Sequence, residues 1–263
     1  MKNIRSTKEK ICGMMEDAIA GDIFPGAVLL FSKGNDILFH DSFGQSNIFK
    51  KQKMKKDIIF DLGSLTKPLS TALCISLLIE SKQISLDQKI GSILDDVTDI
   101  QKQQITVDML LRHTSGLPAH REYFKKIDKE DKNTRQQIRD AILKESLEAT
   151  PGSVQIYSDL GYIILAWVCE KIARERIDRF ARQKIYKPLG IKNLFYVDLV
   201  HGDVPDGRQN HGIAATEKCP WRSKTLIGEV HDDNAWIAGG IEGHAGLFGD
   251  ANSVFSLCLE ILN

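Results

Sequence analysis

The sequence predicts a mixed α/β protein of the α+β type, in which an antiparallel sheet flanked by helices adjoins an all-helical lobe. Residues 27–31 and 36–43 are apolar or alternating runs on either side of the turn-forming residues 32–35, which predicts a β-hairpin. After residue 60, apolar residues recur mainly every three or four positions, which indicates helices. Because a two-stranded hairpin is marginal alone, we expect strands from elsewhere in the chain to complete the sheet.

The first helix is predicted over residues 8–19, where the apolar side chains share one face. Later helix starts are marked by the capping residues Ser85 and Thr106. A third start is marked by Thr134, which forms a capping box with Gln137. These signals place a series of helices in the middle of the chain.

Residues 160–173 form a strongly apolar run that predicts a buried helix, and residues 177–186 predict a second helix. Residues 198–235 show little periodicity and are rich in Gly, Asp, His and Pro, which favours a functional loop such as a lid or the rim of a site. A final helix is predicted over residues 250–262. We therefore expect one domain over residues 1–263, with an α/β lobe from about 1–60 and 195–263 and a helical lobe from about 61–194.

Composition indicates a soluble globular protein without nucleic-acid affinity. The 263 residues include 35 basic and 35 acidic side chains, and the only lysine cluster, around residues 50–56, reads as a solvated loop. The five cysteines are scattered and read as free thiols. The N-terminus shows neither the apolar core of a signal peptide nor a membrane span, so the sequence as written predicts a cytoplasmic protein; a periplasmic protein without its signal would read the same.

The strongest candidate for chemistry is Ser64-Leu65-Thr66-Lys67, which lies where an irregular segment gives way to a long apolar helix. A lysine three positions after a serine lies one helical turn along on the same side, so its ammonium can reach the hydroxyl. Pro68 is tolerated there because the first turn has no intrahelical partner for its missing N–H. This pattern predicts a nucleophile, Ser64, activated by Lys67; the structural alternative is a capping serine with a surface lysine.

Tyr157 is the second candidate, on a loop just ahead of the buried helix that begins near residue 160. A neighbouring lysine ammonium favours the phenolate, so Tyr157 is a candidate general base for Ser64, with Lys67 tuning it and relaying the proton. The alternative is that Tyr157 and Tyr162 are aromatic anchors of the helix.

Five stretches match one known family in chain order. They are Pro25-Gly26-Ala27-Val28, Gly63-Ser64-Leu65-Thr66-Lys67, Leu110-Leu111-Arg112-His113-Thr114-Ser115-Gly116-Leu117, Tyr157-Ser158-Asp159 and Pro188-Leu189-Gly190-Ile191. The chain resembles the serine β-lactamase and penicillin-binding-protein superfamily, in its class C β-lactamase and D-alanyl-D-alanine carboxypeptidase branch, over nearly its whole length. This resemblance implies a β-lactamase/transpeptidase-like fold and a catalytic role for Ser64, Lys67 and Tyr157.

The resemblance also implies that Asp159 contacts substrate, because the family has asparagine at this place in Tyr-x-Asn. An asparagine can donate a hydrogen bond to a substrate carbonyl, whereas an ionised carboxylate only accepts. Classical penicillin turnover is therefore less expected. The added charge should hold Lys67 protonated, which favours Tyr157 over Lys67 as the base.

The family's third motif, Lys-Thr-Gly or His-x-Gly, lies on a strand that supplies one N–H of the oxyanion hole. One candidate is the run from Gly243 through His244 to Phe248, but a helix start follows at once and no strand partner comes after it. The favoured alternative places this run upstream of the true third motif, so that the chain stops before the C-terminal strands and the sheet is incomplete. Either way, we expect His244 at the substrate site.

His231 lies in a run, residues 228–235, that resembles a signature of the penicillin-binding protein 4B-like branch, so it is expected to line the substrate pocket. His211, His231 and His244 with Asp232 also have the ligand types of a metal site. Their spacing is not that of a helical pair, so no metal is expected.

The sequence therefore predicts a serine hydrolase that acts through an acyl-enzyme on an amide, ester or β-lactam carbonyl of a small molecule or peptide, without a cofactor. The alternative is a non-catalytic binding module that keeps the scaffold and lacks a working oxyanion hole.

Overall fold

A computed structural model describes residues 2–202 and 212–262 of the protein. The strands in chain order are β1 (Gly26–Lys33), β2 (Asp36–Asn47), β3 (Gln52–Lys53), β4 (Phe60–Asp61), β5 (Leu194–Tyr196), β6 (Lys218–Cys219), β7 (Lys224–Thr225) and β8 (Leu247–Gly249). The helices are α1 (Lys2–Ala20), α2 (Ala72–Glu80), α3 (Ile100–Gln103), α4 (Val107–Leu111), α5 (Thr134–Lys144), α6 (Asp159–Ala173), α7 (Ile177–Ala181), α8 (Asp233–Ile237) and α9 (Ala251–Leu262). The mixed α/β class predicted from the sequence is confirmed.

The predicted hairpin is present as β1 and β2, which pair antiparallel from Gly26 with Gly44 to Lys33 with Asp36, with a shift of register between Phe31 and Ser32. Gly34 takes a positive φ of 56° in the two-residue turn, a conformation that glycine adopts without a steric cost. Strand β3 extends this sheet in the order β1-β2-β3. Helix α1 packs against β2, but within the described residues no strand from elsewhere in the chain joins this sheet, so the expectation that distant strands complete it was wrong.

Short strands that the sequence analysis missed form a second sheet in the order β4-β8-β5. Its central strand, β8, pairs antiparallel with β4 and with β5. Both partners of β8 come earlier in the chain, which is why no strand partner is recognisable after the run from Gly243 to Phe248. Strands of two or three residues are too short to show an alternating pattern, and here they are held by long-range pairing.

The helical lobe is built around α6, in which every residue from Leu160 to Cys169 is buried. A helix buried on all sides is apolar on all sides, which is why this segment was the clearest helix in the sequence. Helices α2, α4, α5 and α7 pack against it. The N-terminal residue of α6, Asp159, emerges from this core at the candidate site.

Two predicted capping arrangements are absent from the structure. Ser85 begins a turn over residues 85–88 and not a helix. Helix α5 does begin at Thr134, but the Thr134 hydroxyl donates to the Ile237 carbonyl at 2.5 Å and the Gln137 amide donates to Asp131, so no capping box forms. Partners from elsewhere in the chain displace the local pairing in this case. The cap predicted at Thr106 is confirmed, since its hydroxyl accepts from the Met109 N–H.

Candidate active site

Ser64 lies exposed on a 3₁₀ turn, Gly63–Leu65, that begins the helical segment leading into α2. The next turn, Lys67–Thr71, is π-helical with Pro68 at its start, so the predicted helix begins at Ser64 but with altered winding. The wider turn suits a proline, which has no N–H to donate to an α-helical partner.

The turn that carries Ser64 is tied to the second sheet on both sides. The Asp61 carboxylate on β4 accepts from the Gly63 N–H at 2.9 Å. The Thr66 hydroxyl donates to the Gly63 carbonyl at 2.6 Å and accepts from the Leu247 N–H at 3.0 Å. These bonds fix the backbone position of the candidate nucleophile.

Lys67 is 2% exposed and places its ammonium beside the Ser64 hydroxyl, with Nζ 3.0 Å from Oγ. The same nitrogen donates to Asp159 Oδ1 at 2.7 Å and to the His244 carbonyl at 3.1 Å. An ammonium has three N–H donors, and each has an acceptor here. This geometry therefore fits a protonated lysine. The three hydrogen bonds compensate for the free-energy cost of removing the charge from water.

The His244 carbonyl is held in place by a close contact between its segment and the helical lobe. The Thr71 hydroxyl donates to the Gly243 carbonyl at 2.7 Å. A Cβ atom at position 243 would lie 2.1 Å from the Tyr162 carbonyl oxygen on α6, so only glycine fits. The segment 243–247 is thus fastened to the Ser64 helix at three residues, Thr66, Lys67 and Thr71.

Asp159, at the start of α6, bridges Lys67 and His120. Its Oδ1 accepts from Lys67, and its Oδ2 lies 3.1 Å from His120 Nδ1. The predicted proximity of Asp159 to Lys67 is thus present in the structure. His120 was not identified from the sequence, because no motif or spacing connects it with a residue 39 positions later.

Tyr157 stands at the mouth of the site, 54% exposed, with its ring centroid 4.9 Å from Lys67 Nζ. The His113 ring lies against it, with the ring centroids 4.6 Å apart. Burial and the nearby Lys67 charge lower the pKa of His113, and its Nδ1 accepts from the Ser158 N–H at 3.0 Å. His113 is therefore a neutral imidazole with its proton on Nε2, and it orients Tyr157.

A cleft of about 500 Å³ opens in front of these groups. Its lining residues are Leu62, Ser64, Leu65, Lys67, Pro68, His113, Tyr157 and Tyr162. Ser64, Lys67 and Tyr157, the three predicted catalytic residues, share this cleft. His113 lies within a motif quoted in the sequence analysis, but no role had been assigned to it.

His244 is 1% exposed, and its Nε2 lies 2.9 Å from Asp232 Oδ1. Burial acts to lower the pKa of His244, but the facing carboxylate outweighs it and the pKa is raised. Burial likewise acts to raise the pKa of Asp232, but His244 and the Ala235 N–H hold it well below the usual range. The His244 side chain therefore belongs to a buried ion pair behind Lys67, and only its backbone oxygen reaches the site.

We expect Asp232→Asn to reduce the free energy of unfolding by about 2 kcal/mol at pH 6, because the buried imidazolium loses its partner. Asparagine keeps the helix cap of α8, so the charge alone changes. The raised pKa of His244 makes this stabilisation complete below the unfolded histidine pKa and removes it as pH rises through the folded value. Urea denaturation at pH 6, 7.5 and 9 should show the difference shrinking with pH.

Asp99→Asn is the matched control for this experiment, since Asp99 caps α3 in the same way without a histidine partner. Its effect on the free energy of unfolding should not change between pH 6 and pH 9. A difference for Asp232→Asn that stays constant or grows with pH would contradict the ion pair.

His231 is about half exposed, with Nε2 2.9 Å from Glu217 Oε2, and it is not among the residues that line the cleft. Its backbone N–H donates to Asp61 Oδ2 at 2.6 Å. Burial raises the pKa of Asp61 against the opposing hydrogen bonds from His231 and Gly63. Asp61 thus joins the segment of His231 to the Ser64 turn, a link that was not predicted.

Within residues 2–202 and 212–262, no group of three or more His, Cys, Asp or Glu side chains is arranged to hold a metal ion. His211, which was considered as a ligand, lies outside the described residues. No helix of the described part of the chain is long and apolar enough to cross a membrane.

Comparison with known proteins identifies similar sequences and folds. A sequence model of the family described as Beta-lactamase matches residues 13–262. An N-acetylmuramyl-L-alanine amidase of Bacillus subtilis (strain 168) is 31% identical over 284 residues, covering 98% of this chain and 64% of the relative. A putative D-alanyl-D-alanine carboxypeptidase of Salmonella agona (strain SL483) is 29% identical over 264 residues, covering 91% of this chain and 61% of the relative.

Among solved structures, a class C beta lactamase superposes with a TM-score of 0.74 at 18% identity, covering 98% of this chain and 64% of that one. This similarity confirms the predicted β-lactamase/transpeptidase-like fold. The chain spans less than two thirds of the length of these curated relatives.

Proposed function

This chain belongs to the Beta-lactamase family, and we propose that it is a serine hydrolase that cleaves an amide, ester or β-lactam bond through an acyl-enzyme on Ser64. The observation that carries the proposal is the exposed Ser64 hydroxyl, 3.0 Å from the buried ammonium of Lys67 and open to the cleft. A lysine at this distance can stabilise the alkoxide that develops on Ser64 during the attack. A serine alone on the surface has no group that does this.

In the proposed reaction, Ser64 Oγ attacks the carbonyl carbon and its proton passes to the phenolate of Tyr157. Lys67 remains an ammonium, because Asp159 and the His244 carbonyl occupy its other donors. Its positive charge lies 4.9 Å from the centroid of the Tyr157 ring, in the same cleft as Ser64. The Ser64 N–H, at the start of a helical segment, donates to the oxyanion.

Collapse of the tetrahedral intermediate breaks the bond to the leaving group, which takes the proton from the Tyr157 phenol. Water then attacks the acyl-enzyme while Tyr157 accepts its proton. Collapse of this second intermediate breaks the bond between the acyl carbon and Ser64 Oγ, Tyr157 returns the proton to Oγ, and the acid product leaves. This sequence balances without a metal or an organic cofactor.

We propose a peptide-like amide as the substrate class. Two curated relatives carry names that specify an N-acetylmuramyl-L-alanine bond and a D-alanyl-D-alanine bond. Asp159 is the counter-ion of Lys67, and its second oxygen contacts His120. As an ionised carboxylate it can accept a hydrogen bond from the substrate but cannot donate one. His231, which is half exposed and bonded through its N–H to Asp61 before the Ser64 turn, is the proposed contact for the more distant part of the substrate.

Hydrolysis of small acyl esters and of alanyl amides tests the proposal. The protein should hydrolyse at least one of them with multiple turnovers, and Ser64→Ala should remove that activity while the protein stays folded by circular dichroism. A protein that binds these compounds without turning them over would be a binding module, and the proposal would be wrong.

A further inference from the structure

The His120 side chain touches the active site through Asp159, and the proposed reaction gives it no task. Its Nδ1 lies 3.1 Å from Asp159 Oδ2, while Oδ1 of the same carboxylate accepts from the Lys67 ammonium at 2.7 Å. Because an ionised carboxylate only accepts hydrogen bonds, the proton of this contact is carried by His120 Nδ1. In the part of the chain that the structure describes, His120 Nε2 has no hydrogen-bond partner. Any effect of the imidazole on the reaction is therefore transmitted by the Asp159 carboxylate.

The loop that carries His120 is held by backbone groups on both sides, without help from the imidazole. The Ala119 carbonyl accepts from the Asp159 N–H at 2.9 Å. The Arg121 carbonyl accepts from the Asn234 side-chain amide at 2.7 Å. These bonds place the imidazole against Asp159 although 43% of the His120 side chain is exposed. Removal of the ring should consequently leave the loop in place.

Asp159 is a residue whose orientation needs two contacts. Its side chain is 19% exposed at the start of α6, so water can reach the carboxylate. Rotation about the bond between Cβ and the carboxyl carbon has broad, two-fold preferences, so one hydrogen bond alone does not fix this group. Lys67 and His120 contact different oxygens, and together they define the plane of the carboxylate.

The orientation of Asp159 matters because Lys67 carries the charge that the proposed reaction uses. Lys67 is almost fully buried, and its Nζ lies 3.0 Å from Ser64 Oγ. Its remaining acceptor is the backbone carbonyl of His244, which carries no net charge. If the Asp159 carboxylate turned towards solvent, the buried ammonium would lose its counter-ion beside the nucleophile.

We propose that His120 is a positioning residue, which holds the Asp159 carboxylate against Lys67 and so keeps the ammonium beside Ser64. This inference rests on the proposed function, because it assigns His120 a part in the attack by Ser64. It concerns a feature in which this chain departs from the Tyr-x-Asn pattern: an asparagine at position 159 would give Lys67 no counter-ion to orient.

The test is steady-state hydrolysis of whichever acyl ester or alanyl amide the protein turns over. His120→Ala should lower kcat about tenfold, the effect of one hydrogen bond to a charged group, and should leave KM within about twofold. His120→Asn should restore kcat to within about threefold of the wild-type value, because its amide nitrogen is as many bonds from Cα as Nδ1 and can donate to the same oxygen. Circular dichroism should show both variants folded.

His201→Ala is the matched control. His201 Nδ1 lies 2.9 Å from Asp198 Oδ2, so the variant breaks the same kind of contact, but neither residue lines the cleft. Its kcat should equal that of the wild-type protein. A uniform loss of activity in His120→Ala and His201→Ala would mean that the effect is not specific to the site.

A double-mutant cycle shows whether His120 acts through Asp159. In the Asp159→Ala protein, adding His120→Ala should change the rate of Ser64 labelling by a fluorophosphonate by less than about twofold, because the carboxylate to be oriented is gone. A residue that only supported the local fold would lower this rate by the same factor in both backgrounds.

A kcat for His120→Ala within about twofold of the wild-type value would overturn the proposal. So would a His120→Asn protein as slow as His120→Ala, or an undiminished effect of His120→Ala in the Asp159→Ala background. The first two comparisons leave Asp159 intact, so they decide the matter even if Asp159→Ala fails to fold. Failure of the proposed hydrolase function is recognised separately, as a wild-type protein without turnover.

Discussion

Lys67→Gln is expected to lower kcat/KM for ester or amide hydrolysis by about 10³-fold. Glutamine is close to lysine in length and can still donate to a neighbour, but it carries no charge. The alkoxide that develops on Ser64 would lose the ammonium that stabilises it, 3.0 Å away. Steady-state kinetics should show the loss mainly in kcat, because the charge matters more in the transition state than in the bound substrate.

Lys102→Gln is the matched control for this substitution. Lys102 is also buried, at 5% exposure, and donates to the Leu143 carbonyl at 2.8 Å, but it lies outside the cleft. This variant should lose stability without losing activity per folded molecule. If both variants reduced activity equally, the effect of Lys67 would be one of folding, and its assigned role would be wrong.

Tyr157→Phe is expected to reduce the rate of Ser64 acylation by about 10²–10³-fold, because the ring stays while the proton acceptor is lost. Its ring is half exposed, so we expect no measurable change in thermal unfolding. Stopped-flow measurement of acylation separates this step from deacylation. Tyr123→Phe serves as control, since it removes a hydroxyl bonded to Glu145 and should leave acylation unchanged.

A rate of acylation within threefold of the wild-type value in Tyr157→Phe would contradict its role as base. The proton acceptor would then have to be Lys67, which would first have to pass a proton to Asp159, 2.7 Å away. The two routes therefore give opposite results for the same variant.

The parts of the site that could be predicted from sequence are those fixed by local geometry. Ser64 and Lys67 are one turn apart, so their contact follows from helix formation near residue 64, even though that turn is 3₁₀ and π in character. Helix α6 could be predicted equally well, because an apolar run of its length has few possible structures other than a buried helix. Asp159 was placed near Lys67 through the family motif rather than from spacing.

The remaining contacts depend on segments far apart in the chain, which no periodic pattern encodes. The third acceptor of Lys67 is a backbone carbonyl 177 residues away, and its position depends on the fit of Gly243 against the Tyr162 carbonyl. His120 has no helical or strand spacing to Asp159. The strands β4, β5 and β8 are too short to show a strand pattern and are recognised only by their pairing. The sheet that supports the Ser64 turn could therefore not be predicted from the sequence.

Covalent labelling of Ser64 tests the central claim most directly. The folded protein is incubated with a fluorophosphonate or a fluorescent penicillin, digested and examined by mass spectrometry. We predict one adduct, on the peptide that contains Ser64, formed by the wild-type protein and by Lys102→Gln but strongly reduced in Lys67→Gln and absent from Ser64→Ala. Folded protein that forms no adduct with either reagent, or that carries the label on another residue, would contradict the assignment of Ser64 as the nucleophile.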